Sequence, residues 1–235
     1  MLEIKGLSKK YDKVMAVNDA SLTAPSGEIS ILLGPNGAGK STLMKCIIGV
    51  LNYEGSIAVC GYANKSREAR SRLSYVPESP ALYDLLSPWE HLEFIARAYS
   101  LQDWQDRAEE LLSRFELSEH RDKAGKELSK GMKQKLSICC ALLTGPRVIL
   151  FDEPMMGLDP AAIRELKTVF KELRINGATV FISTHIIDSI EDIWDTAHIM
   201  HRGRIERTIK RDNGNTASLE DLFFQVTGTE GRGNA

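Results

Sequence analysis

The nonapeptide Gly34-Pro35-Asn36-Gly37-Ala38-Gly39-Lys40-Ser41-Thr42 separates an apolar run of strand character, Ile29 to Leu33, from a helical stretch, Leu43 to Ile48. Few features restrict a fold as tightly. The segment fits G-x-x-x-x-G-K-[ST] in a strand–loop–helix setting, which predicts a phosphate-cradling loop. Gly34, Gly37 and Gly39 let the backbone turn tightly and aim its N–H groups at an anion. The helix that follows adds about half a positive charge at its start. Lys40 is expected to reach the β- and γ-phosphates of a nucleotide, and Ser41 to ligate Mg²⁺. The competing reading is a glycine-rich turn that binds nothing; the flanking strand and helix favour the nucleotide.

Composition excludes more than it selects. A chain of 235 residues can bury one sizeable core, and a net charge of −2 gives no general attraction to nucleic acid or anionic lipid. No apolar run reaches the roughly 18 residues needed to span a bilayer. The start, Met1 to Lys5, has no apolar core of a signal peptide, so a cytoplasmic location is expected. Cys46, Cys60, Cys139 and Cys140 lie in apolar segments without metal or disulfide spacing, which predicts buried free thiols. His198 and His201 fall an odd number apart on a strand, and so on opposite faces.

Along the chain, short β runs cover Leu2–Ile4, Ala16–Leu22 and Ile29–Leu33. Gly55 to Gly61 reads as a strand, residues 62 to 72 as a short surface helix, and Leu73 to Val76 as a strand ended by Pro77. Ser87-Pro88-Trp89-Glu90 is a capping box, and apolar residues at helical spacing follow it. A second amphipathic helix runs from Trp104 to Phe115. Residues 87 to about 128 are therefore a helical insertion in a βα chain. Ser129 caps another helix, which continues to Leu143. The continuous apolar run Val148–Phe151 predicts a strand buried on both faces of a parallel sheet. Asp159-Pro160 starts the next helix, and Thr179–Thr184 forms the next strand. Residues 186 to 195 read as helix, 197 to 207 as a hairpin pivoting at Arg202-Gly203, and a last helix begins at Ser218. The glycines beyond Thr227 suggest a flexible tail over 228–235. The basic cluster Arg202, Arg204, Arg207, Lys210 and Arg211 could touch acidic lipid head groups or a partner, but a solvated surface is the favoured reading.

Phosphoryl transfer to water needs a metal on the β- and γ-phosphates, a group that orients the water, and positive charge on the transferring phosphoryl. Asp152 ends its strand where open α/β sheets bind ligands, and it is expected to hold the metal. Glu153, next along, is the candidate general base. His185 follows an apolar strand of the same sheet, which favours a γ-phosphate contact over a structural role. Tyr11, in a polar stretch, is either an ordinary half-exposed tyrosine or a partner for a flat base.

With these residues assembled, the chain resembles the nucleotide-binding subunit of an ABC transporter from Leu2 to about Gly228. Leu128-Ser129-Lys130-Gly131-Met132-Lys133-Gln134 is similar to the family signature, Leu-Ser-Gly-Gly-Gln. Met156-Gly157-Leu158-Asp159 resembles its D-loop, Ser183-Thr184-His185 its histidine switch, and Tyr11 its adenine-stacking aromatic. The resemblance implies a P-loop NTPase core of mainly parallel sheet flanked by helices, with an N-terminal antiparallel β subdomain and an inserted helical subdomain. One ATPase domain would cover 1–227, its core made of 1–86 and 145–212, its helical subdomain of 87–144, and its C-terminal helix of 213–227. ATP and Mg²⁺ are the implied ligands. Two copies, or this chain and a paralogue, would pair head to tail. Each ATP would then lie between the phosphate loop of one and Ser129, Gly131 and Asp159 of the other.

Two departures stand out. Glu78 occupies the position of the family's Q-loop glutamine; a carboxylate there can coordinate Mg²⁺ but cannot donate as an amide does. Lys130 and Met132 replace glycine and glutamine in the signature, a variation that resembles the ABC-2-type exporter branch. The resemblance therefore implies a peripheral subunit on the inner face of the membrane, docked on a separate integral permease through the stretch from Glu78 to Trp89. The alternative is a soluble ATPase of this type acting on nucleic acid or ribosomes. The chain lacks the long coiled coils, the tandem domains and the basic face such proteins carry, and no nucleic acid is expected.

Overall fold

Strands buried along their whole length form the middle of one sheet, and strands with an exposed face form the other sheet or an edge. The structure, a computed structural model, describes residues 1–211 and 218–228. The chain opens with β1 (Leu2–Tyr11), β2 (Val14–Ala24) and β3 (Ile29–Leu33), then α1 (Lys40–Ile47). Next come β4 (Glu54–Val59), β5 (Tyr62–Ala63), α2 (Arg67–Arg70) and β6 (Leu73–Val76). Three helices follow, α3 (Pro88–Tyr99), α4 (Gln105–Arg114) and α5 (Lys130–Leu143). The second half holds β7 (Val148–Asp152), α6 (Pro160–Ile175), β8 (Thr179–Thr184), β9 (Thr196–His201), β10 (Arg204–Lys210) and α7 (Leu219–Thr227).

β2, β1, β4 and β5 form an antiparallel sheet in that order. The second sheet runs β10-β9-β3-β8-β7-β6, parallel from β9 to β6 with β10 antiparallel at its edge. β3, β7 and β8 are buried along their whole length. Alternation splits their side chains between two cores. Ile29, Ile31, Leu33, Ile149, Phe151, Val180 and Ile182 pack under α3, α4, α5 and α6, with Phe151 edge-on to Phe170 at 4.8 Å. Leu32, Val148, Leu150 and Phe181 turn the other way, onto α1 and the antiparallel sheet. The α/β class expected from the sequence, with an antiparallel N-terminal sheet and helices inserted after β6, is the class observed.

Helix starts follow the side-chain chemistry. The Ser87 hydroxyl accepts from the Glu90 N–H while Glu90 accepts from the Ser87 N–H, closing the capping box of α3. Ser129, Asp159 and Ser218 cap α5, α6 and α7 in the same sense, each contributing about 1 kcal/mol. α1 is different: Gly39 precedes it, and no side chain caps it.

Four expectations need correction. β1 runs past the expected Leu2–Ile4 as far as Tyr11, so this tyrosine closes a hairpin. Between 62 and 72 the helix is only α2, preceded by the two-residue β5. Residues 186 to 195 are turns, not a helix. Their apolar spacing mimics one, but the Ile190 and Ile193 N–H groups bond three residues back, and Thr184 Oγ1 takes the Ile186 N–H. Cys46 and Cys139 are buried, whereas Cys60 and Cys140 are only partly so. The tail expected beyond Gly228, and residues 213–217, lie outside the described residues. Among the described residues no helix is long and apolar enough to cross a membrane.

Candidate nucleotide site

The C-terminal ends of β3, β7 and β8 deliver the chemistry to one place. A cleft of about 600 Å³ is lined there by Asn36, Gly37, Ala38, Gly39, Lys40, Ser41, Thr42, Glu78, Glu153, Met156 and His185. Val14, Met15, Ala16, Arg202 and Gly203 close its other side.

The loop is built to hold an anion. α1 has four N-terminal N–H groups without intrahelical partners, and no capping side chain or first-turn acid competes for them. Gly39 has φ 108°, and a Cβ there would stand 2.3 Å from the Ala16 carbonyl oxygen. Only glycine fits. The β9–β10 turn secures the loop from outside: the Gly203 N–H donates to the Ala38 carbonyl at 2.9 Å, and the Asn18 N–H donates to the Gly203 carbonyl at 2.8 Å.

Lys40 is buried, and its ammonium donates to the Gly34 carbonyl at 2.7 Å and more weakly to that of Pro35 at 3.4 Å. Its Nζ is also 3.6 Å from Glu153 Oε1. Burial pushes the Lys40 pKa down, while Glu153, Asp152 and Glu78 oppose that shift. His185 Nδ1 meets the same Glu153 oxygen at 2.8 Å. Glu153 thus sits between two cationic or N–H partners, in a left-handed backbone conformation with φ 47°. Such a conformation costs a non-glycine residue about 1 kcal/mol or more and is held here by the Glu153 N–H bond to the Ser183 carbonyl at 3.0 Å.

Asp152 lies just beneath, almost fully buried. It accepts from the Ser41 hydroxyl at 3.3 Å, from the Tyr75 phenol at 3.2 Å and from the Ser183 hydroxyl. Burial, with Asp152 adding to it, raises the Tyr75 pKa, so the phenol stays protonated and donates.

The structure brings together most of the sequence-expected residues. Gly34 and Pro35 contribute carbonyls to Lys40, and Asp152 supports the floor. Tyr11 does not line the cleft; it ends β1 beside it, 44% exposed, with the Lys9 ammonium 5.0 Å over its ring. Ser129, Gly131 and Asp159 are also outside this cleft, at the starts of α5 and α6. Val14, Met15, Ala16, Met156 and Arg202 were not singled out as site residues. Val14 and Met15 are an exposed apolar pair after a hairpin turn; Met156 falls in the segment that resembles the D-loop and Arg202 in the hairpin pivot, and only the sheet order brings them to the cleft.

The ABC transporter family model matches residues 17–156. The ABC-type transporter ATP-binding protein EcsA of Bacillus subtilis (strain 168) is 36% identical, over 97% of this chain and 96% of its own length. A solved ATP-binding subunit of an ABC transporter superposes with a TM-score of 0.91 at 36% identity, covering 96% of this chain and 99% of that one. The ATP-binding cassette MJ0796, solved as a dimer in a post-hydrolysis state with ADP and Pi, superposes with a TM-score of 0.80 at 26% identity over 90% of this chain and all of its own.

Proposed function

Because the chain belongs to the ABC transporter family of ATP-binding subunits, which bind and hydrolyse ATP, we propose that it drives export by closing with a second copy or a paralogue around ATP. The membrane subunit it acts on is a separate chain. The observation that carries this reading is the convergence of Lys40, Ser41, Glu153 and His185 on one cleft, while Ser129, Gly131 and Asp159 stand apart at two capped helix starts. One chain holds half of what the reaction needs. The other half comes from its partner, whose α5 start offers N–H groups and a helix dipole to the γ-phosphate.

In this reading Gly34 to Thr42 bind the phosphates, and Lys40 leaves Glu153 for the β- and γ-phosphates. Glu153, freed, takes the proton of the attacking water, and His185 orients Glu153 and contacts the γ-phosphate. Tyr11 stacks on adenine beside Val14 and Met15. Ser41, Asp152 and Glu78 supply hydroxyl and carboxylate oxygens, the hard donors that suit Mg²⁺. Among the described residues no group of three or more acidic, His or Cys side chains is placed to hold a metal ion by itself. Ser41, Asp152 and Glu78 would hold such an ion together with the phosphates. Bound there, Mg²⁺ would neutralise charge building on the β- and γ-phosphates.

Export, and the ABC-2 branch, are inferred from Lys130 and Met132 in the signature segment. The docking face for the permease is the groove of about 620 Å³ between β6 and α3, lined by Leu73, Tyr75, Leu82, Tyr83 and Phe94. Tyr83 and Leu85 beside it are 58% and 80% exposed, more than a closed surface needs. Residues 1–227 act as one ATPase domain on the inner face of the membrane. Affinity capture from detergent-solubilised membranes tests this reading. A multi-span protein should co-purify, and substituting Tyr83 and Leu85 by Ser should release it. Recovery of only soluble or ribosomal partners would overturn it.

A further inference from the structure

Beside the signature segment lies a lysine that the reaction as described does not use. Lys135, one turn into α5, has a side chain only 9% exposed. Its Nζ is 3.0 Å from Asp159 Oδ2 and 3.2 Å from Glu116 Oε2. Asp159 divides its two oxygens. Oδ1 accepts from the Ala162 N–H at 2.9 Å and caps α6, while Oδ2 faces Lys135. The Ala162 bond, with Lys135 second, holds the Asp159 carboxyl below the usual carboxylate range. Burial acts to lower the Lys135 pKa, but Asp159 and Glu116 outweigh it and the net shift is upward. The lysine is charged.

A second contact joins the same two segments. A Cβ on Gly131 would come within 2.8 Å of the Gly157 carbonyl oxygen, so the first turn of α5 lies directly on the backbone of the 156–159 turn. Gly157, at φ 78°, in turn faces the aliphatic stem of Lys130. Such closeness sets separation, but a contact between backbones can slide. The Lys135–Asp159 pair fixes the remaining freedom, because Asp159 is itself pinned by its cap.

We propose that Lys135 is a positioning residue that locks the 156–159 turn to the signature segment, so that one protomer offers both to its partner's ATP as a single rigid surface. The inference rests on the reading that ATP lies between two copies. It adds that signature and turn move together, and that the ion pair between α5 and α6, not the phosphate loop, makes them do so. Breaking the pair should leave nucleotide capture by a lone protomer intact and damage closure. A lysine with a merely structural role would lower stability without that split.

The test uses the full chain in a Glu153→Gln background, with ATP-dependent dimerisation followed by analytical ultracentrifugation. Lys135→Met keeps the buried stem and removes the charge. It should weaken the dimer by about tenfold or more, leave ATP affinity of the protomer within about twofold, and lower kcat, not raise KM, when Glu153 is restored. Lys135→Arg should recover most of the loss. Lys135→Gln is also uncharged and carries the same test should Lys135→Met fail to fold. Asp159→Asn, which also touches the nucleotide interface, should lose less in the Lys135→Met protein than on its own. Glu153→Gln protein that never dimerises with ATP would sink the two-copy reading and this inference with it. A Glu153→Gln dimer that Lys135→Met leaves unchanged, or strictly additive losses in the pair, would overturn the role of Lys135 alone.

Discussion

Lys40 Nζ stands 3.6 Å from Glu153 Oε1, so the group proposed to bind phosphate and the group proposed to activate water hold each other. Both side chains are more than nine-tenths buried, and His185 completes the cluster at 2.8 Å from the same oxygen. In the proposed mechanism ATP separates the pair before the carboxylate acts. Glu153→Gln should therefore do two things at once, abolish turnover and remove a competitor for Lys40. ATP affinity, measured by isothermal titration, should rise by about fivefold, roughly 1 kcal/mol. Unchanged or weaker binding would mean that the pair offers no resistance to nucleotide.

Lys40→Ala should cut ATP affinity by about 10- to 100-fold, the worth of a charge-assisted contact of about 1.5–3 kcal/mol. AMP, lacking β- and γ-phosphates, should lose far less. Equal losses for ATP and AMP would place Lys40 elsewhere on the nucleotide.

His185→Gln retains a polar side chain but not the imidazole paired with Glu153. In steady-state assays kcat should fall by about 100-fold or more, with KM for ATP little changed. A rise in KM at constant kcat would reduce His185 to a binding contact.

His198 predicts an acid sensitivity in the sheet that carries the cleft. It is fully buried on β9, 2.9 Å from Thr208 Oγ1, and burial pushes its pKa down to about 4 from 6.5. Above pH 6.5 the ring is neutral in folded and unfolded chains alike and costs nothing. Between pH 6.5 and 4 only the unfolded chain takes up the proton, so stability falls with acidification by up to about 3 kcal/mol. Denaturant midpoints at pH 7 and pH 4.5 should differ less in His198→Gln than in the unaltered protein.

Gly39→Ala places a Cβ against the Ala16 carbonyl and forces alanine to φ 108°. Stability should drop by about 1–3 kcal/mol, and ATP binding should weaken in parallel, since the loop moves with β2. A thermal melt of the nucleotide-free protein reports the first effect and a binding titration the second.

Much of this was legible in the sequence because the signals are local. The loop at 34–42, the caps at Ser87, Ser129, Asp159 and Ser218, and the apolar runs of β7 and β8 each follow from residues a few positions apart. What escaped depends on the sheet order. Placing β9 beside β3 brings Arg202 and Gly203 onto the phosphate loop from more than 160 residues away. Lys135 meets Asp159 only once α5 and α6 are packed, and Lys40 meets Glu153 only once β3 and β7 share a sheet through β8. Residues 186 to 195 misled for the opposite reason. Their periodicity is real and buries Ile190 and Ile193, but burial alone does not choose between a helix and a string of turns.

The two hydrogen bonds of Gly203 have a wider meaning. They clip the peptide at Ala38 to β2, and thereby join two sheets that share no paired strands. The rim of the phosphate loop is in effect a seam between separately built slabs. Damage to the packing of the antiparallel slab, at positions such as Leu7 or Val17, will therefore surface as poor nucleotide capture while every residue of the cleft is intact. Loss-of-affinity variants scattered over β1 and β2 would be faults in the frame and not in the lock.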